Sequence, residues 1–129
     1  MSGILFLCIH NAGRSQMAAG FARELSAGKI EIYSGGSEPG DQVNPAAIEV
    51  MAEVGIDIAG FTPQKFTMEM LENVDVVITM GCGDSCPYIP GKRYIDWPLD
   101  DPKGQPTETV RRIRDEIKAR VSELVAQLS

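Results

Sequence analysis

The sequence predicts an α/β fold: a single doubly wound domain over residues 1–129, with a mostly parallel four-stranded sheet and helices on both faces. Three observations predict it. Short, almost wholly apolar runs alternate along the chain with segments whose apolar residues recur at helical spacing. The first run, "ILFLC" at 4–8, shows no polar alternation, as expected of a strand covered on both faces. A length of 129 residues at 43% apolar composition suits one core, and no linker, repeat or low-complexity tract divides it.

The elements follow in order. After the strand at 4–8 the period changes at Arg14: Met17, Phe21 and Leu25 recur every fourth residue, and Gly28 is placed to stop that helix. The stretch 29–34, "KIEIYS", alternates as a second strand ended by Gly35 and Gly36. Asn44 and Pro45 open a helix as cap and first helical residue, with Ile48, Met51 and Ala52 facing inward and Gly55 closing the segment. "VDVVITM" at 74–80 is the third strand and 92–97 the fourth. Thr107 opens the last helix, whose stripe is Val110, Ile113, Ile117, Val121, Leu124 and Leu128. Strands separated by helices imply crossover units and hence a parallel arrangement.

Composition narrows the function. No apolar run approaches the roughly 18 residues of a membrane span, and the amino end lacks the basic region and cleavage site of a signal peptide, so a cytoplasmic protein is expected. A net charge of −6 argues against a nucleic-acid partner, but a local cluster of donors could still hold a small anion. Three cysteines are an odd number for a disulfide framework and point to free or catalytic thiols.

The chemistry is concentrated where the first strand ends. In doubly wound sheets ligands bind beyond the carboxyl ends of the strands, and Cys8 lies at such an end. Residues 9–13 (Ile9, His10, Asn11, Ala12, Gly13) then lead to a helix whose first turn holds Arg14 and Ser15. Converging loop amides and the positive end of the helix suit a tetrahedral oxyanion, and Arg14 adds a planar fork matched to its oxygens. The same setting favours the thiolate, the nucleophilic form of Cys8. Asn11 tolerates a left-handed turn, and Ser15 could donate to the sulfur. His10, the single histidine, fits either the site or the loop surface. Asp101 in "PLDDPKG", also beyond a strand's carboxyl end, is the candidate general acid, although the local sequence alone also fits a turn carboxylate. Cys82 and Cys86 follow the third strand as bystanders, metal ligands or redox partners; four zinc ligands are hard to assemble from three cysteines and one histidine, so no metal is expected.

These stretches ("CIHNAGRSQMA" from Cys8, "SGGSEP" from Ser34, "VITMGCGDSCP" and "DWPLDDP" ending at Pro102) together resemble the arsenate reductases built on the low-molecular-weight protein tyrosine phosphatase fold, over nearly the whole chain. The resemblance implies attack of Cys8 on arsenate held by the loop amides and Arg14, with Asn11 and Ser15 tuning the thiolate. Asp101 would protonate the departing oxygen, and a second thiol would release arsenite. Phosphate or sulfate would compete weakly. No tightly bound cofactor is implied, only an external thiol reductant. The His-Asn-Ala-Gly-Arg wording of the loop resembles the actinobacterial enzymes, in which mycothiol forms the adduct and a mycoredoxin completes reduction; the other route is a Cys82/Cys86 relay with thioredoxin.

Departures from the pattern are informative. Thioredoxin-coupled relatives carry their two extra cysteines with six residues between them, whereas only three lie between Cys82 and Cys86, and Gly13 stands where the loop often has another cysteine. Ala19 and Gln64 occupy the positions of acidic potassium ligands, so no such ion site is expected. Two other functions share the loop. A tyrosine phosphatase would use Cys8, Arg14 and Asp101, but usually carries tyrosines where Lys103 and Gly104 follow Pro102. A non-catalytic anion-binding module would be expected to lack the nucleophile, the arginine or the acid.

Overall fold

The run at the amino end forms the centre of the sheet because both of its faces are apolar. In the computed structural model, which describes residues 3–80 and 92–128, β1 (Gly3–Cys8) lies between β2 (Glu31–Gly36) and β3 (Val76–Thr79), and β4 (Arg93–Asp96) forms the edge beyond β3. All three pairings are parallel, giving the order β2-β1-β3-β4. The doubly wound α/β class expected from the alternation is the one observed.

Side chains alternate across β1. Ile4, Phe6 and Cys8 join the main core with α1 (Arg14–Ser26), α2 (Pro45–Ala52) and α4 (Thr107–Leu128), while Leu5 and Leu7 meet Leu71 of the short α3 (Met68–Glu72) in a smaller cluster. Trp97 is buried against Phe6, ring centroids 6.1 Å apart, and belongs to the main core. No helix among the described residues is long and apolar enough to cross a membrane.

Several expectations need correction. Leu25 is 43% exposed. From Arg14 to Ala22 the helix is buried on every side, and Leu25 lies beyond that stretch in the last turn, where Arg23 is half-buried, Glu24 exposed and only Ser26 buried. In α2 the buried residues are Ala47, Val50 and Met51; Ile48 is half-buried and Ala52 exposed, one position too far around the helix. Gly35 and Gly36 do not end the second strand but complete it, pairing with Leu7 and Cys8. A Cβ at Gly35 would lie 2.8 Å from the Phe66 Cα, and one at Gly36 only 2.5 Å from the Ile9 carbonyl oxygen, so this strand end admits only glycine without a shift. The expected third and fourth strands are trimmed to four residues each, and α3 was not expected at all.

The expected helix starts stand. Asn44 caps α2 by accepting from the Ala46 N–H at 2.9 Å, and α4 begins at Thr107, with all of its expected stripe buried except the half-buried terminal Leu128. At the end of α1, Ala27 and Gly28 take left-handed conformations, φ 51° and 82°, where glycine removes the steric penalty.

Candidate active site

The order of the sheet reverses between β1 and β3, so their carboxyl ends flank a crevice. Cys8 is the last residue of β1, and the loop that follows wraps the space above it before α1 begins at Arg14. The path of the loop is set by its carbonyl groups. Cys8 O accepts from Ser37 N (3.4 Å), Ile9 O from Glu38 N (2.8 Å), His10 O from Gly40 N (2.9 Å), Ala12 O from Asn44 N (2.7 Å) and Gly13 O from Met17 N (2.9 Å). Asn11 O accepts from Gln16 Nε2 at 3.1 Å. In a trans peptide the N–H points opposite the C=O, so where the 37–44 segment engages the carbonyls of residues 8, 9, 10 and 12, the amides that follow them point the other way. One of them, Asn11 N–H, reaches Cys8 Sγ at 3.2 Å.

The beginning of α1 lies beside this amide. Its N-cap residue, Gly13, has no side chain to cap the helix, and no acidic residue lies in the first turn. The unpaired amides and positive potential of that terminus are left to the crevice.

Side chains complete the site. Ser15 Oγ lies 2.9 Å from Cys8 Sγ and accepts from Asn11 Nδ2 at 2.7 Å. When the sulfur is a thiolate, only Ser15 can be the donor in that pair. Asn11 is fully buried at φ 50°, the left-handed turn anticipated for it. Arg14 is 8% exposed and donates through Nη1 to Leu99 O at 3.2 Å, while Nη2 stands 3.9 Å from Asp101 Oδ2. The Asp101 side chain is half-exposed, and its Oδ1 accepts from the Lys103 N–H at 3.0 Å.

Cys8, His10, Ala12, Gly13, Arg14 and Asp101 line one cavity of about 540 Å³. His10 is exposed on the rim, its Nδ1 3.0 Å from Glu38 O. Thus the structure brings the expected nucleophile, anion-binding loop and acid together. Cys82 and Cys86 lie outside the described residues. Ala19 is buried within α1, and Gln64 donates its side-chain amide to Ser34 O at 2.9 Å. Among the described residues no three His, Cys, Asp or Glu side chains cluster to hold a metal ion.

Sequence reasoning missed the supports of the loop. Gln16 and the Gln64 N–H both donate to Asn11 Oδ1, at 3.1 and 3.0 Å, and the segment from Gly40 to Pro45 forms one wall of the cavity. A polar residue inside an otherwise apolar helical face was the available signal for Gln16; nothing local marks Gln64 or the wall.

Comparison with known proteins agrees with this geometry. The family described as low molecular weight phosphotyrosine protein phosphatase matches residues 3–129. A Synechocystis sp. protein named glutaredoxin arsenate reductase is 43% identical over 132 aligned residues, 100% of both chains. An arsenate reductase 2 from Staphylococcus epidermidis is 41% identical over 122 residues, 92% of each chain. A solved arsenate reductase in its phosphate-binding state superposes with a TM-score of 0.89 at 42% identity, covering 100% of both chains. The Corynebacterium glutamicum thioredoxin-dependent arsenate reductase gives a TM-score of 0.84 at 37% identity, over 98% of this chain and 60% of that one. Matched over nearly its whole length, the chain belongs to the low molecular weight phosphotyrosine protein phosphatase family.

Proposed function

We propose that the protein is an arsenate reductase with Cys8 as its nucleophile. The observation that carries this reading is Cys8, its Sγ met by the Asn11 N–H at 3.2 Å and Ser15 Oγ at 2.9 Å, lining one cavity together with Arg14 and Asp101. The names of full-length relatives above 40% identity support arsenate as the substrate.

The amides of residues 9–15 and the Arg14 fork hold the oxyanion and stabilise the charge that develops during displacement. The Cys8 thiolate attacks arsenic, one As–O bond breaks, and Asp101 supplies the proton that lets the oxygen leave as water. A second thiolate then attacks, a disulfide forms, and the electron pair of the S–As bond leaves with arsenic as arsenite. Two thiols are oxidised by two electrons, and arsenic(V) is reduced to arsenic(III). Phosphate and sulfate fit the same cradle.

The second thiol has two supported sources. The loop wording favours a small thiol such as mycothiol, completed by mycoredoxin. The relatives' names favour a protein donor, glutaredoxin in one and thioredoxin in another, which a Cys82/Cys86 relay would serve. Either donor is reduced in the cytoplasm, the expected location. A phosphatase would use the same residues, but His10 is the only aromatic ring among the described residues lining the cavity, a poor seat for an aryl ester.

The test mixes reduced protein with arsenate in the absence of other thiols and counts free thiols and arsenite. Two thiols lost per arsenite released identifies an internal relay. Arsenite released only after mycothiol is added identifies the small-thiol route. No arsenite with any thiol or protein donor refutes the reading.

A further inference from the structure

Gln16 is buried in α1 at 1% exposure, and nothing in the chemistry above uses it. We propose that Gln16 is a positioning residue: it fixes which way the Asn11 amide faces and, through Asn11, aims the Ser15 hydroxyl proton at Cys8. The proposal rests on the reading of Cys8 as nucleophile.

The two ends of a carboxamide have nearly the same shape, so hydrogen-bond partners decide its orientation. Asn11 Oδ1 receives two donors that cannot accept, the Gln64 main-chain N–H at 3.0 Å and Gln16 Nε2 at 3.1 Å. Oδ1 is therefore held toward them, and Nδ2 is left facing Ser15 Oγ at 2.7 Å. Ser15 accepts in that bond, so its single proton remains for Cys8 Sγ, 2.9 Å away. The opposite orientation would set Oδ1 against Ser15 and draw that proton from the sulfur.

Gln16 Nε2 also donates to Asn11 O at 3.1 Å, holding the main chain as well as the side chain of the left-handed residue. The other end of Gln16 argues against a packing role. Its Oε1 is buried with no partner among the described residues, a desolvation cost that a methionine of similar length would not carry.

The test is the rate of Cys8 alkylation by iodoacetamide across pH, read from the mass of the peptide that carries Cys8 so that Cys82 and Cys86 do not contribute. The proteins are wild type, Gln16→Met, Ser15→Ala and the double variant. Gln16→Met should slow alkylation at neutral pH about three- to tenfold and move its pH profile upward, the scale of one hydrogen bond. In the Ser15→Ala background the same substitution should have a much smaller effect, because only the Asn11 main-chain N–H is then left to carry it to the sulfur. A Gln16→Met profile that overlays wild type, or an equal slowing in both backgrounds, would overturn the proposal. Gln16→Glu keeps the shape but sets oxygen against Asn11 Oδ1, and should slow alkylation at least as much; a wild-type rate counts against it. Should neither variant fold, nuclear Overhauser contacts in the wild type decide: the Asn11 side-chain amide protons should lie near the Ser15 β-protons, and contacts to the Gln64 amide instead would overturn the assignment. None of these readouts needs arsenate, so they stand apart from failure of the substrate assignment.

Discussion

Gly13 lies directly against Pro102: a Cβ on Gly13 would fall 2.9 Å from Pro102 Cγ. The loop that carries Asp101 thus rests on the loop after Cys8 through a contact with room for a hydrogen and not for a methyl group. Gly13→Ala should push Pro102 away and carry Asp101 out of position. The kcat for arsenate should fall about ten- to a hundredfold, with a smaller change in KM. A wild-type kcat would mean the acid does not depend on this seat.

Asp101→Asn keeps the turn but removes the transferable proton. Steady-state kcat should drop roughly 10²- to 10⁴-fold while Cys8 alkylation stays at its wild-type rate. Equal losses in both measurements would instead place Asp101 in the support of the thiolate.

Arg14→Lys retains the charge and loses the planar fork, including the bond to Leu99 O. We expect kcat/KM to fall by about a hundredfold or more, and phosphate to weaken as an inhibitor in parallel. Competition assays with phosphate check this, and unchanged inhibition contradicts a direct hold on the anion.

Gly36→Ala should destabilise the fold by about 1–3 kcal/mol, since its Cβ would meet the Ile9 carbonyl oxygen at 2.5 Å and backbone must shift. Urea unfolding of the two proteins measures it.

Away from the site, Glu53 accepts from Arg111 at 2.7 Å and Arg114 at 2.8 Å, tying the end of α2 to α4. The Arg111 hydrogen bond, with help from Arg114, holds its carboxyl below the ordinary glutamate value of 4.5. A lowered value means that the stabilisation is complete above pH 4.5 and is lost as pH falls through the folded-state value. Glu53→Gln should therefore melt lower than wild type at pH 7, the gap closing under acid. A gap constant with pH would assign the difference to packing.

What was legible in the sequence follows from the range of each signal. The strand at 4–8 and the last helix are long or wholly apolar, and their periodicity survives averaging. The five-residue α3 buries only Leu71, too little to create a period, although Thr67 caps it by accepting from Met70 N at 3.1 Å. Gly35 and Gly36 suggested a stop because the chain that crowds them, at Phe66 and Ile9, lies close only after folding. The loop was readable because Cys8, Asn11, Arg14 and Ser15 fall within eight residues of sequence. Gln64 was not, since its contact with Asn11 spans 53 positions.

The outer fastening of that loop has a consequence for how the protein can be altered. Ser37, Glu38, Gly40 and Asn44 hold it through main-chain N–H groups, which any residue except proline supplies. Asp41 and Gln42, on the same stretch, line the cavity wall. Side chains at the entrance can therefore be exchanged while the loop around Cys8 keeps its shape. What reaches the sulfur and how the sulfur reacts are separate dials on one molecule.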